Sequence, residues 1–150
     1  GGGLFLERRR RSVNVRITVG TLEFLGRLEV ERAPRTCAAF VAVLPFRNRL
    51  VQARWSGESA WIPLGDLDFG VGTENQLSAP APGQLLLYPA AVSETEILFP
   101  YGETRFASRF GPLAGNHFIT LTSGTELLPE LGRRVLHEGA QEIVFELARA

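Results

Sequence analysis

The sequence predicts a mainly β fold, a small closed barrel carrying two helices. Three observations predict it. Short segments alternate apolar and polar residues with the period of two that marks a half-buried strand. Only two segments carry helical spacing instead. Turn residues punctuate the rest, and so many short strands in an open sheet would leave edges to protect.

Val13, Val15, Ile17 and Val19 alternate with Asn14, Arg16 and Thr18 and predict the first strand. Gly20-Thr21 suits a tight hairpin turn. Leu22, Phe24, Leu28 and Val30 then alternate with Glu23, Arg27, Glu29 and Glu31. Gly26 interrupts this second strand, as at a bulge or a close backbone approach. Pro34 suits the first turn of a helix. Cys37, Phe40, Val41 and Leu44 follow at helical spacing, and Pro45 stops the pattern. Residues 50–63 read as two short strands around Ser56-Gly57. Gly65 to Pro82 reads as a long loop, a class that is often functional in compact domains. Strands are predicted at Gln84–Tyr88, Ser93–Phe99 and Asn116–Thr122. A helix over Glu126–His137 ends at Gly139. Ile143, Phe145 and Leu147 make the closing strand.

A chain of 150 residues is the usual size of one domain. Residues 12–150 are expected to form it, with 1–11 as a poorly ordered terminus. Gly1-Gly2-Gly3 looks like a trimmed or added end, and the run Arg8–Arg11 reads as a solvated face or an anion contact. The 16 basic residues balance 16 acidic ones, which argues against general nucleic-acid binding. Every basic residue is arginine, so lysine Schiff-base chemistry is excluded. Cys37 is the only cysteine, which excludes an internal disulfide and fits a reducing cytoplasm. It lies on the apolar helical face, where a thiol is buried and inert. No stretch reaches the ~18 apolar residues of a membrane span. Neither a membrane nor a nucleic-acid partner is expected, and a homo-oligomer is left open.

Gly26-Arg27-Leu28-Glu29-Val30-Glu31, followed by Ala33-Pro34-Arg35-Thr36-Cys37-Ala38-Ala39-Phe40, resembles the opening of the cyclophilins. There a Gly-Arg-Ile strand leads into a Pro-Lys-Thr helix ending in Asn-Phe. Gly115–Leu121 is similar to a later cyclophilin strand with a Gln-Phe-Phe-Ile core. The prolyl isomerases add a Phe-His-Arg segment and then Phe-Met-x-Gln-Gly-Gly. Here Phe46-Arg47-Asn48-Arg49 and its successors match neither, so the isomerase arginine carries over to no position. A closer resemblance is to bacterial and archaeal cyclophilin-like proteins, many of unknown function. They share a Trp-Gly-acidic turn, a Gly-Asp-x-x-Tyr-Trp-Pro strand and a Phe-Phe-Gly-Pro segment. Trp55-Ser56-Gly57-Glu58, Gly83–Pro89 and Glu94 to Gly102 stand in those places. The resemblance spans residues 13–122 and implies an eight-stranded barrel with a ligand-sized cleft on one face.

Glu94 and Glu96 lie two apart on a predicted strand, so they share a face about 6–7 Å apart. Paired carboxylates in a cleft supply an acid and a base, or hold a cation. The alternative is an exposed strand face with Thr95, Ile97 and Phe99 in the core. His117 is the third candidate proton carrier, against a structural histidine. Trp55, Trp61, Tyr88 and Tyr101 are all the Trp and Tyr residues, and such rings line pockets or fill a barrel. Glu58 and Asn116 complete the candidate ligand contacts, and Arg54 and Arg109 are candidate anchors for an anion. His137 suits a helix C-terminus. Two distant histidines are too few for a metal site, no phosphate loop is present, and no cofactor is expected. Ser56, Ser93 and Ser108 lack a nucleophile-elbow context.

The expected function is a small-molecule-binding protein or a metabolic enzyme, with acid–base chemistry on a small polar metabolite if it is catalytic. The alternatives are a peptidyl-prolyl isomerase and a non-catalytic interaction module.

Overall fold

A computed structural model describes residues 13–148; the Arg8–Arg11 run lies outside them. Strand β1 (Asn14–Val19) turns at Gly20, φ 58°, into β2 (Leu22–Leu28). Helix α1 (Pro34–Val41) leads to β3 (Phe46–Gln52) and β4 (Gly57–Gly65). The long loop contains a two-residue strand, β5 (Gln76–Leu77). Next come β6 (Gln84–Tyr88), β7 (Thr95–Thr104) and the small hairpin β8 (Ala107–Ser108) and β9 (Gly111–Pro112). Strand β10 (Gly115–Ser123), helix α2 (Leu128–His137) and β11 (Gln141–Ala148) complete the chain.

The strands pair antiparallel in the order β2-β1-β11-β3-β4-β7-β6-β10, and β10 pairs back onto β2. The sheet is therefore a closed barrel of eight strands, with β5 attached to β10. Closure needs Gly26. A Cβ there would stand 2.6 Å from Cγ2 of Ile119, so only glycine admits that side chain where β2 meets β10.

Both helices plug the barrel. Phe40 of α1 meets Phe46, Phe118 and Phe145 edge-on with no solvent exposure. Helix α2 buries Leu128, Leu131 and Val135. Phe46 begins β3 near α1. Gln52 ends β3 and accepts a hydrogen bond from the Tyr101 hydroxyl at 2.7 Å. The Tyr101 ring lies against Gly132 of α2. The two helices thus close opposite ends.

A Cβ at Gly132 would overlap the Tyr101 ring carbons. Gly132→Ala is therefore expected to lower stability by about 1–3 kcal/mol, although alanine favours a helix. Urea unfolding checks this, and an unchanged or higher midpoint would contradict the packing.

Several boundaries differ from the sequence expectation, among them β3, which begins at Phe46 rather than at residue 50, and β2, which ends at Leu28. Helix α1 ends at Val41, and Val43 and Leu44 close it with bonds to the carbonyls of Phe40 and Val41. Pro45 disfavours a helical Leu44, which explains the early stop. Strand β7 starts at Thr95 and runs past Phe99 to Thr104 because β4 keeps pairing with it beyond Pro100. The loop from Gly65 holds the short strand β5. A 3₁₀ turn at Thr125–Leu127 precedes α2, whose regular part begins with Leu128-Pro129. Gly139, φ 88°, lies just beyond the helix end, as its position predicted.

The outer face of β4, β7 and β6 carries a second small core. Leu86, Tyr88 and Leu98 pack there with Phe106 and Leu113, joined by Trp61 and Leu77. Residues 105–113 therefore form a strap lying across the outside of the barrel. That strap positions the site.

Candidate functional site

A cleft of about 160 Å³ opens between this strap and the barrel. Its floor is Trp61 of β4 with Glu96 and Leu98 of β7. Trp61 pairs with Leu98 across the two strands, and period-two alternation puts Glu96 on the same face. Thr95, Ile97 and Phe99 point the other way. One wall is the turn Ala53–Ser56, and the other is Ala107–Phe110 at the hairpin tip. Ser93 closes the third side.

Two clips hold these walls. Ser56 Oγ accepts a hydrogen bond from the Ala107 N–H at 3.1 Å and donates to the Ala107 carbonyl at 3.2 Å. The Arg105 N–H also donates to the Ser56 carbonyl. On the third side, the Tyr88 hydroxyl accepts from the Val92 N–H at 3.0 Å, which ties down the loop that carries Ser93 and Glu94.

Glu96 is the unusual group. Its side chain is 6% exposed, and among the described residues it has no hydrogen-bond or ion-pair partner. Burial pushes its pKa up to about 8, and the neighbouring Glu94 carboxylate adds to the rise. The carboxyl is therefore protonated at neutral pH. Glu94 itself is exposed, with Oε2 near the Gly65 turn. Trp55 and Phe110 stand at the mouth, 57% and 63% exposed. Arg109 stacks on the Phe110 ring at 4.6 Å.

The candidate residues do not meet in one place. Trp55, Trp61 and Glu96 line the cleft, and Tyr88 and Glu94 adjoin it. Tyr101 sits between Gln52 and helix α2. Glu58 packs over Gly102 and accepts from the Glu103 N–H at 3.0 Å. Asn116 is fully buried. Its amide donates to Thr36 Oγ1 and the Gly72 carbonyl, and its Oδ1 accepts from the Glu74 N–H. Glu74 in turn accepts from the N–H groups of Arg35 and Thr36 at the start of α1. Burial opposes its ionisation, but these bonds and the Thr36 hydroxyl hold its pKa below the ordinary value.

His117 faces a different part of the outer surface. Its Nε2 lies 2.8 Å from Thr120 Oγ1, which donates its own proton to Glu29. Nε2 therefore carries a hydrogen and donates. Burial holds the His117 pKa below the ordinary histidine value, against the pull of Glu29. The charges that act on it belong to Glu29, Arg32 and Arg27 rather than to Glu94 or Glu96. Cys37 is buried beside the Phe118 carbonyl, and burial pushes its thiol up to about 12. Among the described residues no cluster of three or more metal-ligating side chains occurs.

Sequence reasoning overlooked Phe110, Leu98 and the wall role of Ser56, Ser93 and Ser108. An exposed aromatic in Arg109-Phe110-Gly111 was the available signal for the first.

Comparison with known proteins agrees with the fold. The structure of McbB in complex with tryptophan superposes with a TM-score of 0.70 at 15% identity, over 88% of this chain and 44% of that one. This chain thus spans less than half of McbB. The solution structure of the hypothetical protein AF2241 from Archaeoglobus fulgidus gives 0.55 at 17% identity, over 92% of this chain and 96% of that one. These likenesses bear out the cyclophilin-like barrel expected from the sequence. No curated protein matches the sequence. A family described as a protein of unknown function, DUF3830, matches residues 15–147, nearly the whole barrel, and this chain belongs to that family.

Proposed function

We propose that the protein binds a small molecule in the outer cleft and that Glu96 is the proton donor of any reaction there. The observation that carries this reading is a buried, unpartnered carboxyl on the floor of a cleft that aromatic rings line. A ligand that hydrogen-bonds this carboxyl and shields it from water gains a contact that the protein itself leaves open. A neutral carboxyl near pH 7 also suits general acid catalysis. It gives a proton to a developing oxyanion or leaving group, and its conjugate base then takes one back. Glu94 beside it keeps that proton in place by like-charge repulsion. The McbB structure, of which this chain matches 44%, is a complex with tryptophan, so a protein that contains a barrel of this fold binds a small molecule. In this reading Asn116 and Glu74 serve the fold by fixing the long loop to α1. His117 serves the β10–β2 seam.

A thermal-shift screen of small metabolites tests the proposal, run in parallel on the Trp61→Ala, Glu96→Gln and His117→Ala variants. Ligands that stabilise the parent protein are expected to lose their effect in the first two and keep it in the third. Hits that survive both cleft substitutions would contradict the site.

A further inference from the structure

We propose that the ligand enters the cleft as a small organic carboxylate whose anionic group sits between Arg54 and Arg109. This rests on the reading of the cleft as a ligand site and names the class of molecule it takes.

The two arginines come from segments more than fifty positions apart in the chain, yet both line the same cleft. The Ser56–Ala107 clip makes this so. Arg54 stands two residues before the clip on one wall, and Arg109 two residues after it on the other. The two walls that carry them are thus held together by a pair of hydrogen bonds. Neither guanidinium is in an ion pair with a carboxylate among the described residues, so both are open to an anion from outside. Arg109 is further fixed by stacking on Phe110. The Ser108 hydroxyl holds that tip by accepting from the Phe110 N–H at 3.0 Å. Two planar guanidinium forks at one mouth, one of them stacked on Phe110, match a carboxylate, which each can grip with parallel N–H bonds.

The floor agrees with this orientation. A volume of about 160 Å³ is that of a single benzene-sized ring. Trp61 and Leu98 offer it an apolar surface. Glu96 lies beside Glu94, just before its own strand, and Tyr88 of β6, and it shares the cleft lining with the two arginines. While it is protonated it adds no negative charge and can donate a hydrogen bond to the anion. Once ionised it repels that anion. Carboxylate binding is therefore expected to weaken as pH rises through about 8, the range in which burial makes Glu96 titrate.

Benzoate is the probe, with benzamide as its neutral counterpart of equal shape and phenyl phosphate as a bulkier oxyanion. Calorimetric titration measures affinity, and amide shifts in a nuclear-magnetic-resonance spectrum locate the bound probe. Benzoate is expected to perturb residues 53–56, 96–98 and 107–110 and to bind at least about tenfold more tightly than benzamide. Arg54→Gln and Arg109→Gln are each expected to weaken benzoate by about tenfold and leave benzamide unchanged. In Glu96→Gln the decline with pH is expected to disappear. Equal binding of benzoate and benzamide, untouched by either arginine substitution, would sink the carboxylate class while leaving the cleft a ligand site. Phenyl phosphate preferred over benzoate, or no benzoate binding at millimolar concentration, would also overturn the class. Benzoate bound away from these residues would overturn both readings.

Discussion

Glu96→Gln is expected to stabilise the protein at pH 8 by about 4 kcal/mol and to remove a decline in stability that the parent shows between pH 5 and pH 8. The sign follows from where the proton sits. In the unfolded chain Glu96 ionises in the ordinary carboxyl range. In the barrel, burial and Glu94 keep it protonated up to about 8. Between those two values the native state holds a proton that the unfolded state has released. The contribution of Glu96 to stability is therefore greatest below the ordinary carboxyl range. It falls by about 1.4 kcal/mol for each pH unit through the window and levels off above about 8. Glutamine keeps the shape and has no proton to lose. Urea unfolding of both proteins at several pH values reads the difference directly, because the titrating groups that do not interact with Glu96 cancel between them. Parallel curves would mean that Glu96 is solvated in the native protein.

Phe40→Ala is expected to cost about 3–5 kcal/mol, a large share of the 5–15 kcal/mol typical of a domain. The ring has no exposed surface, and its centroid lies 5.0 Å from that of Phe118, 5.1 Å from Phe145 and 5.9 Å from Phe46. Those neighbours come from β10, β11 and β3, so one side chain fastens α1 to three strands. Removing it forfeits the burial and three edge-to-face contacts, and leaves a cavity that rigid strands cannot collapse. In a chain of this size the melting temperature is expected to fall by about 10 °C. Phe40→Leu, which keeps most of the volume, is expected to lose far less. A loss below about 1 kcal/mol for the alanine variant would contradict the role of α1 as a plug.

The barrel was legible because its signals are local. The alternation of Val15, Ile17 and Val19 and the Gly20 turn define the first hairpin, and Gly26 marks the place where β2 meets β10. Pro100 misled the reading of β7, since a proline looks like a strand end while pairing with β4 carries on past it. The site was legible only in part. Period two correctly put Glu96 opposite Thr95 and Ile97, whereas Glu94 falls just before the strand and is exposed. Nothing near them in the sequence announced that Glu96 would be buried. Its cover is the strap at 105–113, whose two strands are two residues each and leave no periodic trace. Asn116 and Tyr101 show the same difficulty. Their partners, Thr36, Glu74 and Gln52, lie far away in the chain. Contacts of that range have no signature in a single sequence.

The central claim is that Glu96 is a buried, neutral carboxyl in the floor of the outer cleft. Its titration can be followed directly by nuclear magnetic resonance on protein labelled with carbon-13 at the glutamate side-chain carboxyls. The account predicts one carboxyl resonance with a midpoint near 8 that is absent from Glu96→Gln, with Trp61 and Leu98 shifting over the same range. If every glutamate resonance has finished titrating by about pH 6, Glu96 is an ordinary carboxylate and the account fails.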